Sequence, residues 1–359
     1  MTLVIAEAGV NHNGSEELAF QLVDLASNAG ADVVKFQTFI AKNLATKTAQ
    51  KARYQIKNTG ITESQFEMLS RLELSFDSHY RLASYCNKKN IEFLSTAFDI
   101  ESLNFLSKEI GMRRLKIPSG EITNAPLVLE HARTQSDIIL STGMSTLSEI
   151  ESALGVIAFG YIAKNYDIPS TDAFRCAFLS NEGKDALKEK VTILHCTSDY
   201  PASLNDINLK AMDTIADTFG LNVGYSDHSL GTIVPIVAVA RGAKIIEKHF
   251  TLDREMDGPD HKASLNPIEL RTMIEGIRDA ELCLGDGIKC PTSSELENAL
   301  ISRKSIVANS VIKVGERFTS SNIAIKRPGN GLSPFDYWRI LNKPSKKHYF
   351  AGDCIDIDE

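Results

Sequence analysis

The sequence predicts a (β/α)8 barrel, a closed parallel sheet wrapped by helices, followed by a small, mostly-β domain. Three observations carry that prediction. Short apolar runs recur along residues 1–284, each ending in polar residues. Amphipathic segments of helical period separate them. The alternation then stops, and short β-like pieces replace it. Strand and helix in alternation build right-handed βαβ units, and such units give a parallel sheet. A doubly wound open sheet is the competing arrangement, but eight repeats in a chain of this length suit a barrel.

The expected strands are 3–8, 32–37, 91–96, 114–119, 137–141, 191–196, 222–226 and 244–249. They are rich in Val, Ile and Leu and nearly continuously apolar, as strands covered on both faces must be. Between them, 17–29, 76–89, 148–163 and 209–219 read as amphipathic helices. Two connections are long. Residues 39–90 include a Lys/Asn/Thr-rich loop at 41–60, and residues 144–190 contain a polar insertion at 165–190. Connections of that length form lids, contacts or decoration. A Gly/Lys/Pro/Ser-rich linker is expected over 285–301 and a small domain over 302–359. In that domain 305–308, 311–314 and 323–325 read as short strands.

Composition narrows the function. Apolar residues make up 43% and charged residues 24%, an ordinary globular balance. A net charge of -7 argues against nucleic acid or an anionic membrane as the main partner. The start has no basic n-region, and no apolar run is long enough to span a bilayer. The cysteines are scattered without a C-x-x-C pair, so the expected setting is a reducing cytoplasm. No G-x-G-x-x-G or P-loop is present.

In a barrel of this kind, chemistry gathers at the carboxyl ends of the strands. Those ends carry Glu7, then Lys35 and Gln37, then Ser95 and Thr96. Lys116, Ser119 and Glu121 follow, then Ser141 and Thr142, then His195, Ser198 and Tyr200. The last strands carry Ser226, Asp227, His228, Glu247 and His249, with Asp260 and His261 in the loop beyond. So many polar groups are costly to bury unless a ligand or ion answers them. Lysines among hydroxyls make an anion pocket, because ammonium groups supply charge and hydroxyls supply oriented donors. Taken singly, a strand-end histidine is more often a packed core residue than a ligand. His228 and His249 close neighbouring strands, and as a pair they read as divalent-metal ligands. His12, in Asn11-His12-Asn13-Gly14, reads equally as a turn residue.

These residues fall in segments that resemble the sialic acid synthases. The segments are Ile5-Ala6-Glu7-Ala8-Gly9-Val10-Asn11-His12-Asn13-Gly14, Lys35-Phe36-Gln37-Thr38, Lys116-Ile117-Pro118-Ser119-Gly120-Glu121 and Ser141-Thr142-Gly143-Met144. Gly224-Tyr225-Ser226-Asp227-His228, Glu247-Lys248-His249-Phe250-Thr251, Gly258-Pro259-Asp260-His261 and Lys326-Arg327-Pro328-Gly329-Asn330-Gly331 complete the set. The C-terminal segment resembles that family's antifreeze-like (SAF) domain.

The resemblance implies condensation of phosphoenolpyruvate with an N-acetylmannosamine-type aldehyde and water, releasing phosphate. It implies that His228 and His249 hold a divalent metal, manganese first, with magnesium or cobalt as alternatives. It implies that Lys35, Thr96, Lys116, Ser119, Ser141 and Ser226 hold phosphoenolpyruvate. Glu7 and Glu121 would be the catalytic carboxylates. Gln37, Tyr200, Asp260 and Arg327 would face the sugar, with Arg327 reaching across a homodimer whose SAF domains are swapped. The expected product is N-acetylneuraminate. The alternatives are legionaminic acid, made from 2,4-diacetamido-2,4,6-trideoxymannose, and at greater distance pseudaminic acid. A non-catalytic carbohydrate- or ice-binding protein is the alternative of another class. Ser198 departs from the asparagine that some relatives carry beside phosphoenolpyruvate.

Overall fold

The computed structural model describes residues 1–60, 62–164, 166–356 and 358. The chain divides into two compact units, Met1–Gly285 and Asp286–Glu359. In the first, eight parallel strands close into a barrel in sequence order. They are β1 (Leu3–Gly9), β2 (Val33–Thr38), β3 (Glu92–Ala97), β4 (Arg114–Ile117), β5 (Asp137–Ser141), β6 (Val191–Cys196), β7 (Asn222–Asp227) and β8 (Ile245–His249). The open-sheet alternative is excluded because β1 pairs with β8, with Glu7 opposite His249.

Local chemistry explains where helices begin and end. In α1 (Glu16–Ala29), Ser15 caps the first turn by accepting from the Leu18 amide, and Gly30, at φ 85°, closes the last turn in the left-handed region. The β2–β3 connection is not a bare loop. It folds into α2 (Ala41–Leu44), α3 (Arg53–Thr59), α4 (Gln65–Leu72) and α5 (Phe76–Lys88). Ser64 and Glu67 form a reciprocal capping box that starts α4. After α6 (Ile100–Asn104) and α7 (Ala125–Arg133) comes α8 (Leu147–Ile162).

Of the insertion expected at 165–190, Asn165 lies outside the described residues. The remainder holds two helices, α9 (Thr171–Leu179) and α10 (Asn181–Lys190). They have a packing role. Helix α8 is apolar around most of its circumference, and its Gly155 would meet the Phe174 carbonyl at 3.1 Å if it carried a Cβ. The outer face of α8 is thus covered by α9 rather than by water. The barrel unit is completed by α11 (Lys210–Phe219), α12 (Ile233–Ala240) and α13 (Pro267–Leu284).

The second unit opens with α14 (Ser293–Ser302), inside the stretch whose composition reads as a linker. Thr292 and Glu295 form its capping box, a local signal that outweighs the flanking Gly and Pro. The unit has its own core around Ile306, Ile312, Phe318 and Ile340. Its antiparallel sheet pairs β9 (Ser305–Ala308) with β10 (Ile323–Lys326). The strand expected at 311–314 reduces to a single bridge, Ile312 to Tyr349. No described helix is long and apolar enough to cross a membrane.

Candidate active site

Side chains alternate between the two faces of a strand, so residues two apart share the barrel lumen. That rule sends Lys35 and Gln37 inward together, and Glu247 and His249 inward together. It sends Asp227 and Lys248 outward. Register sets neighbours around the ring: Glu7 lies opposite Lys35, Thr96 opposite Lys116, and Ser226 opposite Glu247.

The inward groups line a cavity of about 490 Å³ at the carboxyl ends of the strands. Glu7, Lys35, Gln37, Thr96, Lys116, Ser119, Glu121, Ser141, Tyr200, Ser226, His228, His249 and Asp260 all reach it. Arg327 belongs to the second unit, where it lies exposed and its Nε donates to the Ser302 carbonyl at 2.9 Å.

At the cavity floor two lysines and two glutamates form one buried network. Lys35 Nζ lies 2.8 Å from Glu7 Oε2 and 3.7 Å from Glu247 Oε2, and donates to Thr96 Oγ1 at 2.9 Å. Lys116 Nζ lies 3.1 Å from Glu247 Oε1, which also accepts from Ser226 Oγ at 2.8 Å. Burial opposes ionisation of Glu247, but Lys116 and Lys35 together hold its carboxyl well below the usual range. Glu7 has the opposite fate: burial, only partly offset by Lys35, pushes it up to about 7. The network therefore contains one fixed carboxylate and one that can exchange a proton near neutrality. Beside it, Ser141 Oγ is buried with no hydrogen-bond partner among the described residues. Gly143 is required by close approach: a Cβ there would collide with Ser198 Oγ at 2.1 Å, and its amide donates to Ser119 Oγ at 2.9 Å.

The His228 and His249 rings lie 5.7 Å apart between centroids. His228 Nδ1 donates to the Thr197 carbonyl at 2.6 Å, which leaves the lone pair on Nε2. His249 Nδ1 is buried and has no hydrogen-bond partner among the described residues. Burial holds both rings neutral, and the His228 ring adds to that effect at His249. Two neutral imidazoles with free lone pairs in one cavity fit a divalent metal. Among the described residues no group of three or more His, Cys, Asp or Glu side chains is placed to hold a metal ion. A metal here would draw its other ligands from water or substrate.

Behind each histidine, on the outer face, sits a clip. Asp227 Oδ2 and Lys248 Nζ lie 2.6 Å apart with no exposure on either side chain. Asp227 also accepts from the Ser229 amide at 2.9 Å and hydroxyl at 3.0 Å, and Lys248 donates to the Ser229 carbonyl. The clip ties β7 to β8 one residue before each histidine.

Aromatic rings cover the histidine side. Tyr200 packs on His228 at 4.1 Å, and Tyr54 from α3 stacks on Tyr200 at 4.8 Å. Asp260 is buried, and that burial pushes its carboxyl up to about 6. Glu121 accepts from Asn124 Nδ2 at 2.7 Å at the rim.

Other polar residues prove to be scaffold. His12 Nδ1 accepts from the Gly14 amide, so it serves the turn. His195 Nε2 donates to the Ile207 carbonyl at 2.7 Å. His261 bonds Thr251 and Asn13. Glu247 has no role in the motif set, although its i, i+2 relation to His249 is signal enough to aim it inward. Tyr54 lay in a stretch read as loop, and nothing local marks it as a ring over the site.

Together these features make a two-histidine barrel site with paired lysines and a titratable carboxylate. Residues 22–289 match the model of the NeuB family, and the chain belongs to that family. It is 48% identical to the N,N'-diacetyllegionaminic acid synthase of Campylobacter jejuni, over 99% of this chain and 98% of the relative. It is 44% identical to the protein of that name from Legionella pneumophila, over 98% and 92%. Among solved structures, the N-acetylneuraminic acid synthetase of Leptospira borgpetersenii superposes with a TM-score of 0.66 at 33% identity, covering 83% of this chain and 90% of that one.

Proposed function

We propose that this enzyme joins phosphoenolpyruvate to 2,4-diacetamido-2,4,6-trideoxymannose with water, yielding N,N'-diacetyllegionaminic acid and phosphate. The observation that carries the choice of sugar is full-length identity of 48% and 44% to two synthases of that product. N-acetylmannosamine, the sugar that the motifs alone favour, is the second reading, supported by the Leptospira relative at 33%.

Phosphoenolpyruvate carries a carboxylate and a phosphate. Lys35 and Lys116 hold these charges, and Ser119, Ser141, Ser226 and Thr96 orient them, Ser141 Oγ having a bond to give. His228 and His249 would hold a divalent metal, manganese first, which would supply Lewis acidity at the sugar aldehyde. C3 of phosphoenolpyruvate bonds to the aldehyde carbon, and C2 becomes an oxocarbenium. Water adds at C2, and the resulting tetrahedral centre expels phosphate to leave the 2-keto acid. Glu247, kept ionised by both lysines, stabilises the positive charge at C2. Glu7, titrating at about 7, passes a proton between the attacking water and the new hydroxyl. Glu121 lies further out and orders the rim. Gln37, Tyr200 and Asp260 contact the sugar. Arg327 enters from the partner's SAF-like unit in a swapped homodimer; motif resemblance alone supports that element.

The test of the sugar is phosphate release from phosphoenolpyruvate with each candidate in turn. Turnover of N-acetylmannosamine without turnover of the diacetamido sugar would overturn the choice. For the shared site, an inactive Arg327→Ala chain mixed with an inactive His228→Ala chain should regain partial activity. Failure with proven subunit exchange would place each site within one chain.

A further inference from the structure

One part of the cavity wall has no role in holding phosphoenolpyruvate or a metal. Val10, Phe39, Met68 and Leu72 form a small apolar cluster, with Leu44, Leu69 and Phe98 packed against it. It is separate from the barrel core. Its members come from the β1 and β3 ends and from the helices of the β2–β3 connection, and Val10, Leu44, Met68, Leu69, Leu72 and Phe98 line the same cavity as Glu7 and His249. The two regions adjoin at Gly9, held at φ 53°. A Cβ there would stand 3.3 Å from Glu7 Oε1, Gln37 Nε2 and His249 Cε1, so the backbone between the histidine end and Val10 stays bare.

The apolar wall and the histidines line one cavity, so a sugar with its aldehyde at the histidines can place its far carbons against leucine, methionine and phenylalanine. A hydroxyl buried against those side chains loses its water and gains no bond from them, whereas a methyl gains from burial. We infer that this wall is a subsite for the deoxygenated end of the sugar, taking the C6 methyl of a 6-deoxy acylamino mannose, with Leu44 and Leu69 as specificity residues. The inference rests on the diacetamido-sugar reading above and assigns the groups that read it.

The test compares 2,4-diacetamido-2,4,6-trideoxymannose with 2,4-diacetamido-2,4-dideoxymannose, which differ by one oxygen at C6. For the native chain, kcat/KM should favour the 6-deoxy sugar by about 10- to 100-fold, the range an apolar pocket achieves against an added hydroxyl. Leu69→Gln and Leu44→Ser should each narrow the ratio to within about threefold. Leu69→Met should keep it, and phosphoenolpyruvate affinity should hold in all three, which shows that the barrel is intact. An unchanged ratio in both polar variants, or a native chain indifferent to the extra oxygen, overturns the subsite while the diacetamido reading stands. A native chain that accepts neither diacetamido sugar and turns over N-acetylmannosamine overturns both.

Discussion

Replacing Lys248 with methionine should destabilise the barrel by about 3 kcal/mol, the lower end of the range for breaking a buried ion pair. At 2.6 Å and with neither side chain exposed, Asp227 and Lys248 attract by roughly 6 kcal/mol at an effective dielectric of about 20. Desolvation cancels most of that gain while both charges are present. Removing Lys248 removes the attraction and leaves the Asp227 charge buried. The loss stays at the lower end because Asp227 keeps its bonds from the Ser229 amide and hydroxyl, at 2.9 and 3.0 Å. The double variant Asp227→Asn, Lys248→Met leaves no stranded charge and should recover at least half the loss. Urea unfolding should be followed by far-UV circular dichroism, since the single tryptophan, Trp338, lies in the second unit. Manganese affinity of the folded Lys248→Met chain, read by electron paramagnetic resonance, should fall by about 10- to 100-fold, because the clip sets the spacing of His228 and His249. A stability loss under about 1 kcal/mol, or a double variant no better than the single, would refute the argument.

Other consequences can be checked directly. His228→Ala should abolish manganese binding by calorimetry while leaving phosphoenolpyruvate binding within a few-fold; unaltered metal binding would remove the two-histidine site. Lys116→Met should weaken phosphoenolpyruvate binding by about 100-fold or more, through loss of a charge-assisted contact and release of Glu247 from one of its partners. His131 is buried and its pKa is lowered by that burial from 6.5 to about 4. Below pH 6.5 the unfolded chain takes up a proton that the folded chain refuses. Stability is therefore lost as pH falls from 6.5 toward 4, by about 3 kcal/mol for this group. His131→Leu should flatten the stability profile over that window by a similar amount, and an unchanged profile would deny the histidine that role.

Much of the barrel was legible because its strands are buried on both faces, so apolar runs mark them with little dependence on context. β5 and β6 fall on the expected residues, and the others shift by a residue or two at their ends. The 41–60 and 165–190 segments were harder. Their helices gain stability from the surfaces they cover, α9 on α8 and α2, through Leu44, on the cluster around Val10. That packing is tertiary, so the polar composition of those stretches conceals it.

By itself the sequence determined where the strands lie along the chain and which polar groups end them. Both follow from short-range patterns: apolar period along the chain, and alternation across a strand. Tertiary structure decided which of those groups meet. Lys116 and Glu247 are 131 positions apart, and only barrel closure puts them 3.1 Å from each other. The same closure brings Glu7 beside His249 and leaves Glu7 and Glu247, alike in sequence, with opposite pKa shifts. A carboxylate's chemistry is set by its burial and the charges around it, and those are properties of the assembled barrel.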